Sequence, residues 1–216
     1  LSLRNEEIKD PFEKVLRAAH ALMRRKEGEE ACQVLARAKE EALARKDLDE
    51  AALYSSVRGS YLVAMGRDEE ASEAYSQAEA MSQGNPHYQL TTARHLVSAM
   101  SQPGIALQKV DSALDQLDQT AGNAALSQDA RAVRGLALLA LGEPEKATIE
   151  LSTMHRLLAE TDLPSLSCDL TLVEALCRQP SARRICSRYL KLVEARARNE
   201  GETRVLNKIL ELKHHF

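Results

Sequence analysis

Aromatic residues are almost missing from this 216-residue chain: there is no tryptophan, and phenylalanine and tyrosine together supply 3% of it. Any core must then be built from alanine and leucine, which suits helices packed closely together. Strand signals are missing too. Period-two alternation does not occur and β-branched residues are few, so no sheet is expected. No apolar run reaches the roughly 18 residues that a membrane span needs. The first residues show no basic-then-apolar leader. Membrane partners are therefore not expected, and the expected location is the cytoplasm. The Leu at position 1 leaves a longer parent protein open. Four cysteines are present, Cys32, Cys168, Cys177 and Cys186, and none forms a Cys-x-x-Cys pair. Structural zinc prefers ligand pairs two to four residues apart. These thiols read instead as small buried apolar groups in a reducing compartment.

Catalytic motifs are equally scarce. The chain has no Gly-rich phosphate loop ending in Gly-Lys-Ser/Thr, no Gly-x-Gly-x-x-Gly, no His-Glu-x-x-His and no Gly-x-Ser-x-Gly. The histidines are His20, His87, His95, His155, His214 and His215, and within the body of the chain none pairs with another on one helix face. The terminal Lys-His-His-Phe reads as a frayed end or an appended remnant ahead of a metal site. No catalysis, cofactor, metal or small-molecule substrate is expected.

Regular punctuation is what the chain does have. All six prolines, Pro11, Pro86, Pro103, Pro144, Pro164 and Pro180, stand where an apolar-periodic segment begins. Proline is tolerated there because its missing N–H would have no partner in the first turn. Asp10 with Glu13 and Asp47 with Glu50 have capping-box spacing, and Asn85 precedes Pro86 as a cap. The spacing predicts helices over 11–26, 29–46, 48–65, 68–83, 86–101, 103–120, 126–141, 143–161, 164–178, 180–199 and 202–213. That is five antiparallel pairs and a final helix, expected as one continuous domain over 1–216. The units would be 11–46, 48–83, 86–121, 126–161 and 164–199, with a cap at 202–213.

The chain also repeats itself. Residues 57–71 read VRGSYLVAMGRDEEA, and residues 133–147 read VRGLALLALGEPEKA. The offset, 76 residues from Gly59 to Gly135, is about twice the size of a helix pair in a solenoid. Gly59 and Gly135 fall inside helices, where glycine costs about 1 kcal/mol against alanine. Close backbone approach within each pair is the expected return, small opposite small at Ala71 and Ala147. Tyr75 and Leu151 would fill the space one turn on.

The pattern resembles the tetratricopeptide repeat (TPR) family. It is carried by Gly59, Leu62, Gly66, Ala71, Tyr75 and Ala78 in one unit, and by Gly135, Leu138, Gly142, Ala147, Leu151 and Met154 in another. Weaker copies surround Ala19, Arg94 and Leu170. The resemblance implies an all-α, right-handed α-α superhelix, a TPR-like solenoid of about five helix pairs with a C-terminal capping helix. Such a solenoid offers an extended surface to a partner. The family's usual aromatic near each unit's start and its closing proline are missing here.

In that family the first helix of each pair lines the concave face. By register this implies Leu16, His20, Met23 and Arg24, then Leu53, Ser56, Ser60 and Val63. Next come Tyr88, Thr91, His95 and Ser98 with Arg94 beside them, then Asp129, Ala132, Leu136 and Leu139. The candidate partner-binding residues are His20, Arg24, Ser56, Ser60, Tyr88, Thr91, Arg94 and His95. The third set is a stripe of hydroxyls and an imidazole, costly to bury unpaired. It reads as a wet groove wall, a hydrogen-bonded seam or a plain exposed face. A family subset grips a C-terminal carboxylate with paired Lys, Asn and Arg. The equivalent positions here are Leu16, His20, Val57, Tyr88 and Thr92, so no such clamp is expected.

Charge is uneven although its sum is only −3. Residues 47–82 hold eight acidic side chains against Arg58 and Arg67, while residues 178–216 hold ten basic against four acidic. Arg183, Arg184, Arg188, Lys191, Arg196 and Arg198 crowd the segment 180–199. Nucleic acid, a partner with an acidic surface and a solvated helix face each fit that cluster. Attraction between the acidic and basic segments of two copies would give self-association. The expected function is a non-catalytic scaffold or adaptor that binds a protein, peptide or helix. The alternatives are a regulatory module of a larger signalling or transcription protein and, less favoured, nucleic-acid binding through 180–199.

Overall fold

The computed structural model describes residues 11–120 and 123–214, apart from the side chain at 120. Asp10, expected as a cap, and His215, one of the terminal histidine pair, lie outside the described residues. Among those described the protein is all-α, with no strand. Its helices are α1 (Pro11–Arg24), α2 (Gly28–Ala44), α3 (Leu48–Ala64), α4 (Asp68–Met81), α5 (Pro86–Ser98), α6 (Pro103–Thr120), α7 (Ala124–Ala140), α8 (Pro144–Glu160), α9 (Thr171–Leu176), α10 (Arg183–Glu200) and α11 (Thr203–Lys213). The chain divides into two compact units, one running to Thr92 and the other from Ala93.

In the first unit α1 packs on α2, α2 on α3 and α3 on α4. Short turns make neighbours antiparallel, as a helical repeat requires. The turns share one geometry. Glu27 N–H bonds to Leu22 O, Asp47 N–H to Ala42 O and Arg67 N–H to Leu62 O, at 2.9–3.0 Å. The residue before each of these donors is left-handed: Lys26 (φ 65°), Lys46 (φ 62°) and Gly66 (φ 74°). This is the Schellman closure, which satisfies the last helical carbonyls. Asp47 then accepts from Glu50 N at 3.0 Å and starts α3. The Glu50 carboxylate does not close the box: it accepts from Tyr54 Oη and pairs with Arg45. Alanines make up much of the core: Ala19, Ala31, Ala42, Ala51 and Ala71 are fully buried, with Leu35, Leu62 and the tyrosines Tyr54, Tyr61 and Tyr75 packed among them.

In the second unit α6 packs on α7, α7 on α8, α8 on α10 and α10 on α11. Leu138, Leu151, Met154, Leu158, Leu172, Tyr189 and Ile209 form its core. The helix expected over 164–178 is not continuous. A 3-10 turn at Ser165–Ser167 comes first, and α9 covers only six residues. Asp169 explains the break: its carboxylate accepts from Thr171 N at 2.8 Å and Thr171 Oγ1 at 2.5 Å, restarting the chain. Two residues of α10 clasp the approach. Arg196 donates to the carbonyls of Leu158, Thr161 and Leu163, and Glu200 accepts from Ser165 N and Oγ.

The two repeated glycines do different work. A Cβ on Gly59 would stand 2.7–3.0 Å from the ring of Tyr75, a contact inside one helix pair. A Cβ on Gly135 would meet the Leu172 side chain at 2.5–3.2 Å. So Gly135 does not serve the expected approach to α8; it lets α9 of the following pair settle on α7. In neither case is the nearest side chain the alanine expected opposite.

Candidate functional site

An open depression lies on the first unit along α1, which touches α3 through His20–Tyr61 and Phe12–Tyr54. Arg17, His20, Met23 and Arg24 line a depression of about 560 Å³. Arg17, His20 and Arg24 follow helical spacing, so one face of α1 carries all three into the same space. His20 Nδ1 lies 2.7 Å from Tyr61 Oη, and the two rings meet edge-on at 5.7 Å. The imidazole is thereby fixed against α3 while its outer edge stays exposed. Arg17 is tied to Glu13, whereas Arg24 is exposed and has no carboxylate partner among the described residues. On α3, Ser60 is exposed: its hydroxyl donates to Ser56 O and accepts from Tyr75 Oη at 3.2 Å. Ser56 itself is only 8% exposed and cannot serve as a broad contact. On α3 Val63 is 39% exposed, while half-buried Leu16, Met23 and Val57 pack against the first-unit core. The face therefore offers apolar area, one free guanidinium and a fixed imidazole.

The third predicted set does not form a wet groove wall. Tyr88 and Thr91 are half-buried in the first unit, and Thr91 Oγ1 is turned back onto His87 O at 2.9 Å. His95 is 4% exposed and engaged by its neighbours, which leaves little of its side chain open to a partner. Arg94, in the second unit, gives its guanidinium to Asp169 at 2.7 Å. Burial alone would raise the Asp169 carboxyl. The Arg94 charge and the Thr171 hydrogen bonds outweigh it and hold the group below its usual range. The fourth set is likewise core: Ala132 is fully buried, and Leu136 and Leu139 pack against the second-unit cluster.

The arginine of the repeated Val-Arg-Gly reads from sequence as packing context, yet it separates the two copies. Arg134 reaches Asp111 on α6 at 2.7 Å and Glu150 on α8 at 2.5 Å, and Arg131 adds a second contact to Glu150. At the positions 76 residues earlier these acids are replaced by Leu35 and Ala74. Arg58 accordingly has a buried Nε without a hydrogen-bond acceptor. One copy thus carries an ionic clasp between helices, while the other has a guanidinium whose Nε finds no acceptor and whose charge is felt by Glu70. The pairing Asp111–Arg134–Glu150 is not legible in sequence, because it joins three helices and leaves no local spacing.

The cysteines are buried apart from half-buried Cys168, and burial pushes the Cys186 thiol up to about 12 and the Cys168 thiol up to about 11. Among the described residues no group of three His, Cys, Asp or Glu side chains could hold a metal ion, and no helix is long and apolar enough to cross a membrane. The basic segment divides into two classes. Arg196 is spent on backbone carbonyls; Arg198 and Lys213 both neutralise Glu194. Arg183, Arg184, Arg188 and Lys191 are exposed with no carboxylate partner among the described residues.

No protein-family model matches the chain, and no curated protein is significantly similar to it in sequence.

Proposed function

We propose that the protein is a non-catalytic binding module of the tetratricopeptide type. In this reading the face shared by α1 and α3 receives a peptide or helix that carries an apolar anchor and an acidic flank. The observation that carries the reading is the open depression lined by Arg17, His20, Met23 and Arg24, with Val63 exposed on the neighbouring helix. An apolar side chain seated there would be desolvated against Met23, and Arg24 would meet an acid beside it. Helix-in-groove recognition works this way, with spaced apolar anchors supplying affinity and charges setting register. His20, held by Tyr61, adds an oriented nitrogen at no further ordering cost.

The test is a photo-crosslinking amino acid at Val63 on α3, compared with one at Ile149 on α8, which is exposed at 61% but stands on the other unit. Discrete adducts from position 63 that disappear when Arg24→Glu is added are the expected result. Identical adducts from both positions, or adducts indifferent to Arg24→Glu, would show that this face is not the binding surface.

A further inference from the structure

We propose that α10 also carries a docking surface for a second copy of this chain, whose contact is the exposed face of α4. On α10 the exposed cations Arg184, Arg188 and Lys191 stand at i, i+4 and i+7, with Arg183 beside them. This spacing puts three positive heads on one helix face over about 10 Å of axis. None has a carboxylate partner among the described residues, although the same helix pairs Arg198 with Glu194 and commits Arg196 to backbone carbonyls. A further cation-sensitive group lies beneath: burial and then the Arg188 charge lower the His155 pKa.

The complementary face is on the same chain. Along α4 the exposed positions Glu69, Glu73 and Ser76 again stand at i, i+4 and i+7. Glu69 has no cationic partner among the described residues, and Glu73 accepts only a hydrogen bond from Gln77. Of the cations near α4, Arg67 is bound to Glu29 and Glu70, Lys39 to Glu40 and Gln77, and Arg58 acts on Glu70, so none is paired with Glu69 or Glu73. Laid side by side, the two helices match charge for charge at two positions and place Lys191 opposite a hydroxyl at the third. Nucleic acid fits this face less well. Tyr189, the one aromatic within the cationic stretch, is fully buried, so no base can stack there, and the net charge of −3 opposes long-range attraction to a polyanion. The contact joins two unlike surfaces, so it is heterologous and continues from copy to copy unless a ring closes it. It leaves the α1–α3 face untouched and does not depend on the function proposed for that face.

Exposed ion pairs are individually weak and screened by salt, so the association is read at high protein concentration. Sedimentation velocity of the full chain at about 50 mM and 500 mM salt is the measurement, since the Debye length falls severalfold over that range. The expected result is a mass that rises with concentration at low salt and returns to monomer at high salt. Arg184→Glu with Arg188→Glu should be monomeric at both, as should Glu69→Arg with Glu73→Arg, and a 1:1 mixture of the two variants should associate again. Both pairs sit on exposed positions, and unchanged far-UV circular dichroism verifies folding. A wild-type chain that stays monomeric throughout overturns the proposal. So does association that survives Arg184→Glu with Arg188→Glu, or a mixture that stays monomeric. Binding of a labelled 20-nucleotide single strand that is lost in the arginine variant, by a chain that never self-associates, would reassign the face to nucleic acid.

Discussion

Gly59→Ala adds one methyl group at the tightest point of the first unit. The new carbon would lie 2.7 Å from Tyr75 Cε1 and 2.8 Å from Cδ1, where ordinary contact is about 3.4–4 Å. A gap of about 0.7 Å must therefore open. The obstacle is a rigid ring, 6% exposed and anchored by its hydroxyl to Ser60, so relief must come from the α3–α4 spacing itself. Overpacking of this kind costs about 1–3 kcal/mol, against about 1 kcal/mol returned by the better helix propensity of alanine. Gly104→Ala is the control, because nothing lies within 4 Å of its Cβ position and only the propensity gain applies. The two variants should then differ by about 1–3 kcal/mol in urea unfolding followed by far-UV circular dichroism, with Gly59→Ala the less stable. Tyr75→Leu imports the residue found at the same register in the second copy, Leu151. Combined with Gly59→Ala it should recover most of the loss, giving a coupling energy of about 1 kcal/mol or more in a double-mutant cycle. If Gly59→Ala is as stable as Gly104→Ala, the glycine is not there for close packing and the reasoning fails.

Other expectations follow from the same structure. Lys46 is left-handed at φ 62° and Gly66 at φ 74° in equivalent turns. Lys46→Gly should therefore stabilise and Gly66→Ala destabilise, each by about 1 kcal/mol in the same urea assay. Arg196→Gln strips a charged donor from three carbonyls at the end of α8 and should cost about 2 kcal/mol or more, with hydrogen exchange rising first over 158–170. For Asp169, the folded carboxyl ionises below its ordinary value of 3.8. The stabilisation it adds is present above that pH and is lost as pH falls through the lower folded value. Asp169→Asn should therefore lose about 1–2 kcal/mol near neutral pH, and the gap to wild type should close as the pH falls below the ordinary carboxyl value and through the lower folded one. A gap that persists unchanged in acid would remove Arg94–Asp169 from the account.

Most of the helix framework is legible in sequence because its ends are chemically marked. Pro86, Pro103 and Pro144 open helices, Asp47 and Asn123 accept from the third N–H beyond, and Gly66 and Gly142 close them. The turns at Lys26 and Lys46 use the same left-handed closure with a residue that gives no such signal, yet their neighbours bracket them well enough. The segment 164–178 reads as one helix because Pro164 looks like any other helix start. Its actual path depends on Asp169 turning onto Thr171 and on Arg196 and Glu200 reaching from α10, contacts 33 to 38 residues distant for the latter two.

The proposed binding face is legible only in part, and for a related reason. Helical spacing reveals which residues share a face but not whether another helix covers that face. His20 and Ser60 keep their exposure, whereas His95, at an equally regular spacing, is packed away. Arg134 and Arg58 are identical in local sequence. The acids that distinguish them, Asp111 and Glu150, stand on the helices before and after, where no reading of Val-Arg-Gly alone could find them.

The central claim is that the α1–α3 face of the first unit holds a protein segment by burial and charge. Peptides selected by display against the full chain, then located by backbone amide exchange, test it most directly. Protection concentrated on α1 and α3 around His20, Arg24 and Val63, and abolished by Arg24→Glu together with Val63→Glu, is the predicted result. Protection confined to the second unit, or unaffected by those two substitutions, would contradict it.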